Sequence, residues 1–302
     1  MNITMQRYQK GIALIQVLII SIILTMLGIF INQSVREQVR ITSTIQNSHE
    51  TNILLETVEA ELLHALLTNK RYRDLGSDNR YVKRWNFYNK RFSINDKVEI
   101  ELQDLNGLLS LNYMNQTAAT RLFMELGHEG EEVRTFLDAL KDWKDSDDLK
   151  RLNGAESKYY ESVGKSIPRN GYLQSIGELL NIRSSEFLTL KEWRRYFSLG
   201  LVSRFNPLNA PDLLLKAYLN NDRAWQQVIE KRESDQLTML DFYRYTGIDE
   251  SQSVTFTTGR LIKVNILVSV ESNKLSKSFQ VELRPNSTKR PVIISDVKWN
   301  EV

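Results

Sequence analysis

The sequence predicts an α+β fold: one long N-terminal helix, an antiparallel sheet, and a large all-α block inserted among the sheet's strands. Three observations predict it. The segment from Ile12 to Leu67 holds no proline and one glycine, Gly28, and Val35, Val39, Ile45 and Ile53 recur at near-helical spacing among polar residues. Alternating, strand-like runs stand at both ends of the remaining chain, in "RFSINDKVEIELQD" and in "RLIKVNILVSVESNKLSKSFQVELRP". Between them the pattern is helical. A strand pair, then helices, then more strands is one sheet interrupted by an insertion.

The helix comes first. From Ile12 to Ile31 no residue is charged. About 20 residues at ~1.5 Å rise span roughly 30 Å, the thickness of a bilayer's hydrocarbon core. Arg7 and Lys10 precede the run and no acid does, which keeps the short N-terminus cytoplasmic and sends the rest across the membrane. A cleavable secretory signal has a shorter apolar stretch and ends in a small-x-small site, whereas "NQSVREQVRITSTIQ" offers none. A plain signal anchor explains the span but not its continuation. One helix of about 55 residues is about 80 Å long.

The later elements follow in order. "DLGSDN" breaks the helix with turn residues. "RFSI" and "VEIELQD" form a hairpin around Asn95-Asp96, closed by "LNG". "TAATRLFMELG", "EEVRTFLDALKDWKD", "SIGELLNI", "LTLKEWRRYF", "APDLLLKAYL" and "RAWQQVIEKRE" read as helices, with Pro211 at a first helical position. "RLIKVNILVSVESN", "LSKSFQVELRP" and "VIISDVKW" are the closing strands.

Composition narrows the function. A net charge of +3 over 302 residues is too small and too dispersed for nucleic acid. Cysteine is absent, which is consistent with export without requiring it. His49, His64 and His128 lack metal-ligand spacing. There is no G-x-S-x-G, no glycine-rich nucleotide loop and no cysteine nucleophile, so the chain is not expected to be an enzyme and no catalytic residue is assigned. "FNPLNAPDLLLKAYL" has the cadence of a helix-hairpin-helix module, but the glycine hairpin that meets DNA phosphates is missing.

The chemical candidate is "DWKDSDDLKRLNGAESKYY". Asp145, Asp147, Asp148 and Glu156 crowd a loop, with Asn153 as a neutral oxygen. Crowded oxygens suit calcium, which takes six to eight of them. The loop is not an EF-hand. Asp145, Asp147 and Glu156 match its first, third and twelfth positions, but Lys150 stands where the sharp turn needs glycine. From the residues alone the favoured reading is a solvated loop neutralised by Lys144, Lys150 and Arg151, and calcium comes forward only with the resemblance given below.

These motifs carry a resemblance. "RYQKG" followed by "IALIQVLII" resembles the class III leader of type IV pilins and type II secretion pseudopilins. That resemblance implies cleavage after Gly11 by a prepilin peptidase, N-methylation of Ile12, and a retained apolar helix that packs a filament. Most pilins carry glutamate at the mature fifth position, where this chain has Gln16. Its absence, "DLNGLLSLN", "DW-x-D-x-D … GAE-x-x-YY" and "FNPLNAP" resemble the large minor pseudopilin K (GspK) of type II secretion.

The family's pattern implies a pilin-like fold. It has a leader at 1–11, a transmembrane and spine helix at 12–67, β regions at 68–112 and 251–302, and an inserted helical domain at 113–250. It also implies calcium as a structural ion on Asp145, Asp147, Asp148 and Glu156. The expected location is the inner membrane, single-pass, with the bulk of the chain periplasmic. Expected partners are the I and J minor pseudopilins, the peptidase, the inner-membrane assembly platform and, at the tip, exported proteins. The alternative is an N-terminally anchored periplasmic module, either a calcium-dependent adhesin or a type IV pilus minor subunit.

Overall fold

The structure, a computed structural model, describes residues 7–200 and 204–300, with side chains from residue 13 onward. The start of the expected leader, and the side chains of Gly11 and Ile12, therefore lie outside the described residues. The chain divides into two units. One comprises residues 1–57 with the hairpin tip 268–275, and the other 58–267 with 276–302.

Helix α1 runs unbroken over Arg7–Thr68. No side chain in its most apolar window is buried, so that surface is left for lipid or other chains. In its last turns Val58, Leu62, Ala65 and Leu66 are buried at the i, i+4, i+7, i+8 spacing of one helix face. Each buried leucine there contributes roughly 1.5–3 kcal/mol. The Glu59–Lys277 ion pair, at 2.5 Å and mostly buried, ties this part of α1 to the sheet.

The sheet has five strands: β1 (Phe92–Asn95), β2 (Val98–Asp104), β5 (Leu261–Val270), β6 (Asn273–Leu283) and β7 (Val292–Trp299), in the order β1-β2-β5-β6-β7. β2 and β5 are neighbours although the whole helical block separates them in sequence, so the block is an insertion between adjacent strands. The β1–β2 hairpin turns at the expected place, where Asn95 Oδ1 accepts from the Lys97 amide. In β5 the alternation is strict: Ile262, Val264, Ile266, Val268 and Val270 are buried and the residues between them are not.

Helices α2 (Gln116–Glu125), α3 (Glu131–Lys144), α4 (Ser157–Ser162), α5 (Leu190–Tyr196), α6 (Asp212–Leu219), α7 (Asp222–Glu233) and α8 (Met239–Thr246) form the insertion. Its core is aromatic: Phe123 meets Phe136, Trp193 and Phe197 with ring centroids 5.7–6.0 Å apart. Two strands, β3 (Leu109–Ser110) and β4 (Phe197–Ser198), pair in parallel inside this block and had no signal in the sequence.

Two expectations are corrected. "SIGELLNI" is a short 3-10 helix over Ile176–Asn181, opened by a Ser175–Glu178 capping box, and with Leu179 alone buried along it there is no apolar face to hold a longer α-helix. Pro211 is the N-cap of α6 rather than its first residue. Its ψ of 147° is extended, and Asp212 opens the helix.

Candidate functional site

The acidic loop follows from the way α3 ends. Val133, Phe136, Leu140 and Trp143 bury one face of the helix, and Thr135, Ala139 and Asp142, at i, i+4, i+7 spacing, bury a second stripe. Asp142 is thereby carried into the interior, with no exposed surface. Its Oδ1 accepts from Arg151 Nη1 at 2.5 Å and its Oδ2 from the Arg151 amide at 3.2 Å. The same Nη1 reaches Asp145 Oδ2, and both contacts hold the Arg151 guanidinium above its ordinary pKa. Gly154 lies so close to Asp142 that a Cβ there would stand 1.8 Å from Oδ2.

The four expected residues part company at this point. Asp147 and Asp148 are exposed, and Asp147 Oδ1 caps its own turn by accepting from the Leu149 amide. Asp145 is partly buried and its Oδ1 has no donor. Glu156 is only 6% exposed, and neither of its oxygens has a hydrogen-bond partner among the described residues. Burial, then the charges of Asp142, Asp145, Asp148 and Asp147, push its carboxyl up to about 7. Asn153 does not stand ready as a free amide, since its Nδ2 donates to Asp138 Oδ2 at 3.0 Å.

Among the described residues no three acidic or histidine side chains converge as a metal cage as they stand. Arg151 occupies the position of the cation, bridging Asp142 and Asp145. The orphaned oxygens of Glu156 and Asp145 nevertheless fit a hard cation, which prefers carboxylate oxygen and would offset both the burial and the acidic neighbours that raise Glu156. Asp142 is the residue that sequence reasoning missed. Its signal was the small-residue spacing of Thr135 and Ala139, which marks a second buried stripe on α3.

Behind the loop, Trp143 and Tyr160 meet edge to face at 5.1 Å. Arg183 stacks on Tyr159 at 4.9 Å and donates to the Gly154 carbonyl at 3.2 Å. "DW … GAE-x-x-YY" is thus one packed unit in which the two tyrosines brace the loop.

A second polar centre joins the insertion to the sheet. Asp104, at the end of β2, is fully buried. Its Oδ2 accepts from Asn209 Nδ2 at 2.9 Å, Asn206 Nδ2 at 3.2 Å and the Gly259 amide at 3.2 Å, and its Oδ1 accepts from the Asn106 amide at 3.0 Å. Burial raises the Asp104 pKa while these four donors oppose the rise. The two "L-N" motifs face each other: a 3-10 turn over Leu105–Gly107 packs on one over Pro207–Asn209, and a Cβ on Gly107 would lie 2.2 Å from the Asn209 carbonyl.

Gln16 is exposed in the apolar part of α1, and Gly11 and Ile12 fall within the same helix.

Residues 95–199 match the family model for type II secretion system protein K. A type II secretion system protein K of Klebsiella pneumoniae is 29% identical over 191 residues, covering 58% of each chain, so this chain spans less than two thirds of that relative. A solved structure, the GspK-GspI-GspJ complex of the enterotoxigenic Escherichia coli type 2 secretion system, aligns with a TM-score of 0.56. It is 12% identical and covers 86% of this chain and 99% of its own. At that identity the likeness speaks for the fold.

Proposed function

We propose that this chain is a member of the type II secretion system protein K family, supported by the match of residues 95–199 and by the Klebsiella pneumoniae relative, and that it is the minor pseudopilin at the tip of the pseudopilus. There it assembles with I- and J-type subunits and starts or caps the filament. The observation that carries this reading is α1: one unbroken helix over Arg7–Thr68, apolar and without internal burial at its start. Such a helix is suited to pack beside others in the membrane by shape and dispersion. The peptidase cuts after Gly11 and Ile12 becomes the methylated N-terminus. α1 holds the chain in the inner membrane with its bulk in the periplasm. Gln16 avoids a buried carboxylate whose cost is roughly 2.5–3.5 kcal/mol when unpaired. A bulky helical insertion leaves little room for a further subunit above.

In this reading calcium is a structural ion, and the chain's contribution is binding rather than catalysis. Glu156 and Asp145 supply the buried oxygens, and Asp147 and Asp148 supply exposed ones at the loop's rim. When bound, the ion supplies positive charge that neutralises the cluster and rigidifies the loop. At a calcium concentration about 100-fold above its Kd it stabilises the fold by about 2.7 kcal/mol.

Two experiments test the proposal. N-terminal sequencing of the membrane-extracted protein is expected to start at Ile12, whereas a start at Met1 supports a plain anchor. Co-expression with I- and J-type subunits is expected to yield a complex that survives purification. A monomer with Ile12 at its N-terminus and no affinity for either would favour a type IV pilus subunit or an adhesin.

A further inference from the structure

A cavity of about 860 Å³ opens between the segment that follows α1, residues 85–88, the 3-10 turn at Pro207–Asn209 and the end of α7. It has no part in the acidic loop or in α1's apolar surface. Its volume is that of a site for a drug-sized molecule. Its walls carry Tyr72, Trp85, Phe87, Tyr88 and Phe256, an aromatic lining on which flat or apolar groups can pack.

Its charges are one-sided. Lys70, Arg71, Arg73 and Arg232 line it, against Asp235. Asp235 pairs with Arg73. Arg232 is 4% exposed and held rigidly: Nη1 donates to the Ala210 carbonyl at 2.8 Å and to Asp212 at 3.1 Å, Nη2 to the Pro207 carbonyl at 3.3 Å, and the guanidinium lies 4.5 Å from the Tyr88 ring centroid. Among the described residues its Nε–H has no acceptor, and neither has the Nε–H of Arg71. The Arg71 guanidinium makes a long 3.5 Å contact to the Thr258 carbonyl through Nη2. Buried guanidinium donors without acceptors are rare because the lost hydration is not replaced.

We propose that this cavity binds a hydrophobic carboxylate, its anion met by Arg71 and Arg232 and its apolar body by the aromatic wall. A single negative charge suits the site better than a phosphate. Asp235 stands in the wall and is paired with Arg73, and Asp104 offsets part of the charge of Arg71, so less positive charge is left for a dianion than the four cations suggest. The same chemistry is presented by a peptide's C-terminus with an apolar last residue and by a free aryl-alkyl acid.

The full chain in lipid nanodiscs, titrated calorimetrically, tests this. N-acetyl-L-phenylalanine is expected to bind at least tenfold more tightly than its uncharged amide. Arg71→Gln is expected to weaken the acid at least fivefold and leave the amide unchanged. Should that variant fold poorly, Met239→Trp, at a rim position 55% exposed, fills the mouth without touching the core and is expected to abolish binding. Equal affinity for acid and amide overturns the proposal, as does tighter binding of phenyl phosphate. So does unchanged affinity in the folded Met239→Trp variant. A peptide ending in Gly-Phe that outbinds 4-phenylbutyrate identifies a chain terminus as the ligand, and the reverse identifies a free acid. Both uphold the site.

Discussion

Glu156 keeps both carboxylate oxygens buried without a donor beside four other acids, and this makes its titration a stability term. Its ordinary value of 4.5 rises to about 7 in the folded chain. Between those values the native state holds a proton that the unfolded state has released, so stability falls as pH rises from about 4.5 to about 7. In chelator, denaturant midpoints are expected to be higher at pH 5 than at pH 7.5. Glu156→Gln is expected to flatten that slope. A saturating calcium concentration is expected to restore the midpoint at pH 7.5 in the parent but much less in Glu156→Gln. A parent chain whose midpoint is insensitive to both pH and calcium rules out this account of the loop. Gly154→Ala is a separate test, because its Cβ would collide with Asp142. Overpacking there should cost about 1–3 kcal/mol, read as a lowered melting temperature with no change in oligomeric state. The sequence made the acids legible because they cluster in the string. It did not reveal which are buried, since that depends on the second stripe of α3; of the three cations it offered to neutralise the loop, Arg151 is the one that pairs with Asp142 and Asp145.

Elements were legible in proportion to how far local pattern decided them. β5 alternates because one face is buried and the other is not, and α3 carries a clear apolar stripe, so both could be read directly. The pairing of β3 with β4 joins residues far apart in the chain by two residues each, too short for any periodicity. The 3-10 turns at Leu105–Gly107 and Pro207–Asn209 were visible as similar motifs, but their meeting around Asp104 is a tertiary fact. That junction bears on how the insertion is held. Asn209→Ala removes the shortest side-chain donor to a buried carboxylate and a second bond to Thr258 Oγ1. A loss of roughly 1–3 kcal/mol is expected, since Asp104 is left under-solvated. Asp104→Asn with Asn209→Ala should be less than additive, because the two residues share one interaction. Additive losses in a double-mutant cycle would show that Asp104 and Asn209 do not act as a unit.

At the scale of the molecule, the fold reduces to an antiparallel sheet with a helical insertion between neighbouring strands and a long helix whose most apolar window is unburied among the described residues. That surface gives Gln16 its meaning. A glutamate at this position costs roughly 2.5–3.5 kcal/mol in lipid unless a cation answers it. In a subunit flanked by others on both sides, a neighbour's N-terminal amine can be that cation; at a tip there is no neighbour above to supply it. Gln16→Glu is therefore expected to lower the amount of chain recovered in the membrane fraction and in a complex with I- and J-type partners. A Gln16→Leu variant, apolar and of similar size, should leave both near the parent level. The comparison separates two physical causes, because a helix that merely needs a polar residue tolerates glutamate better than leucine. Recovery in the complex that rises with Gln16→Glu would mean that a neighbouring amine does meet this position, and the subunit would then sit within the filament rather than at its end.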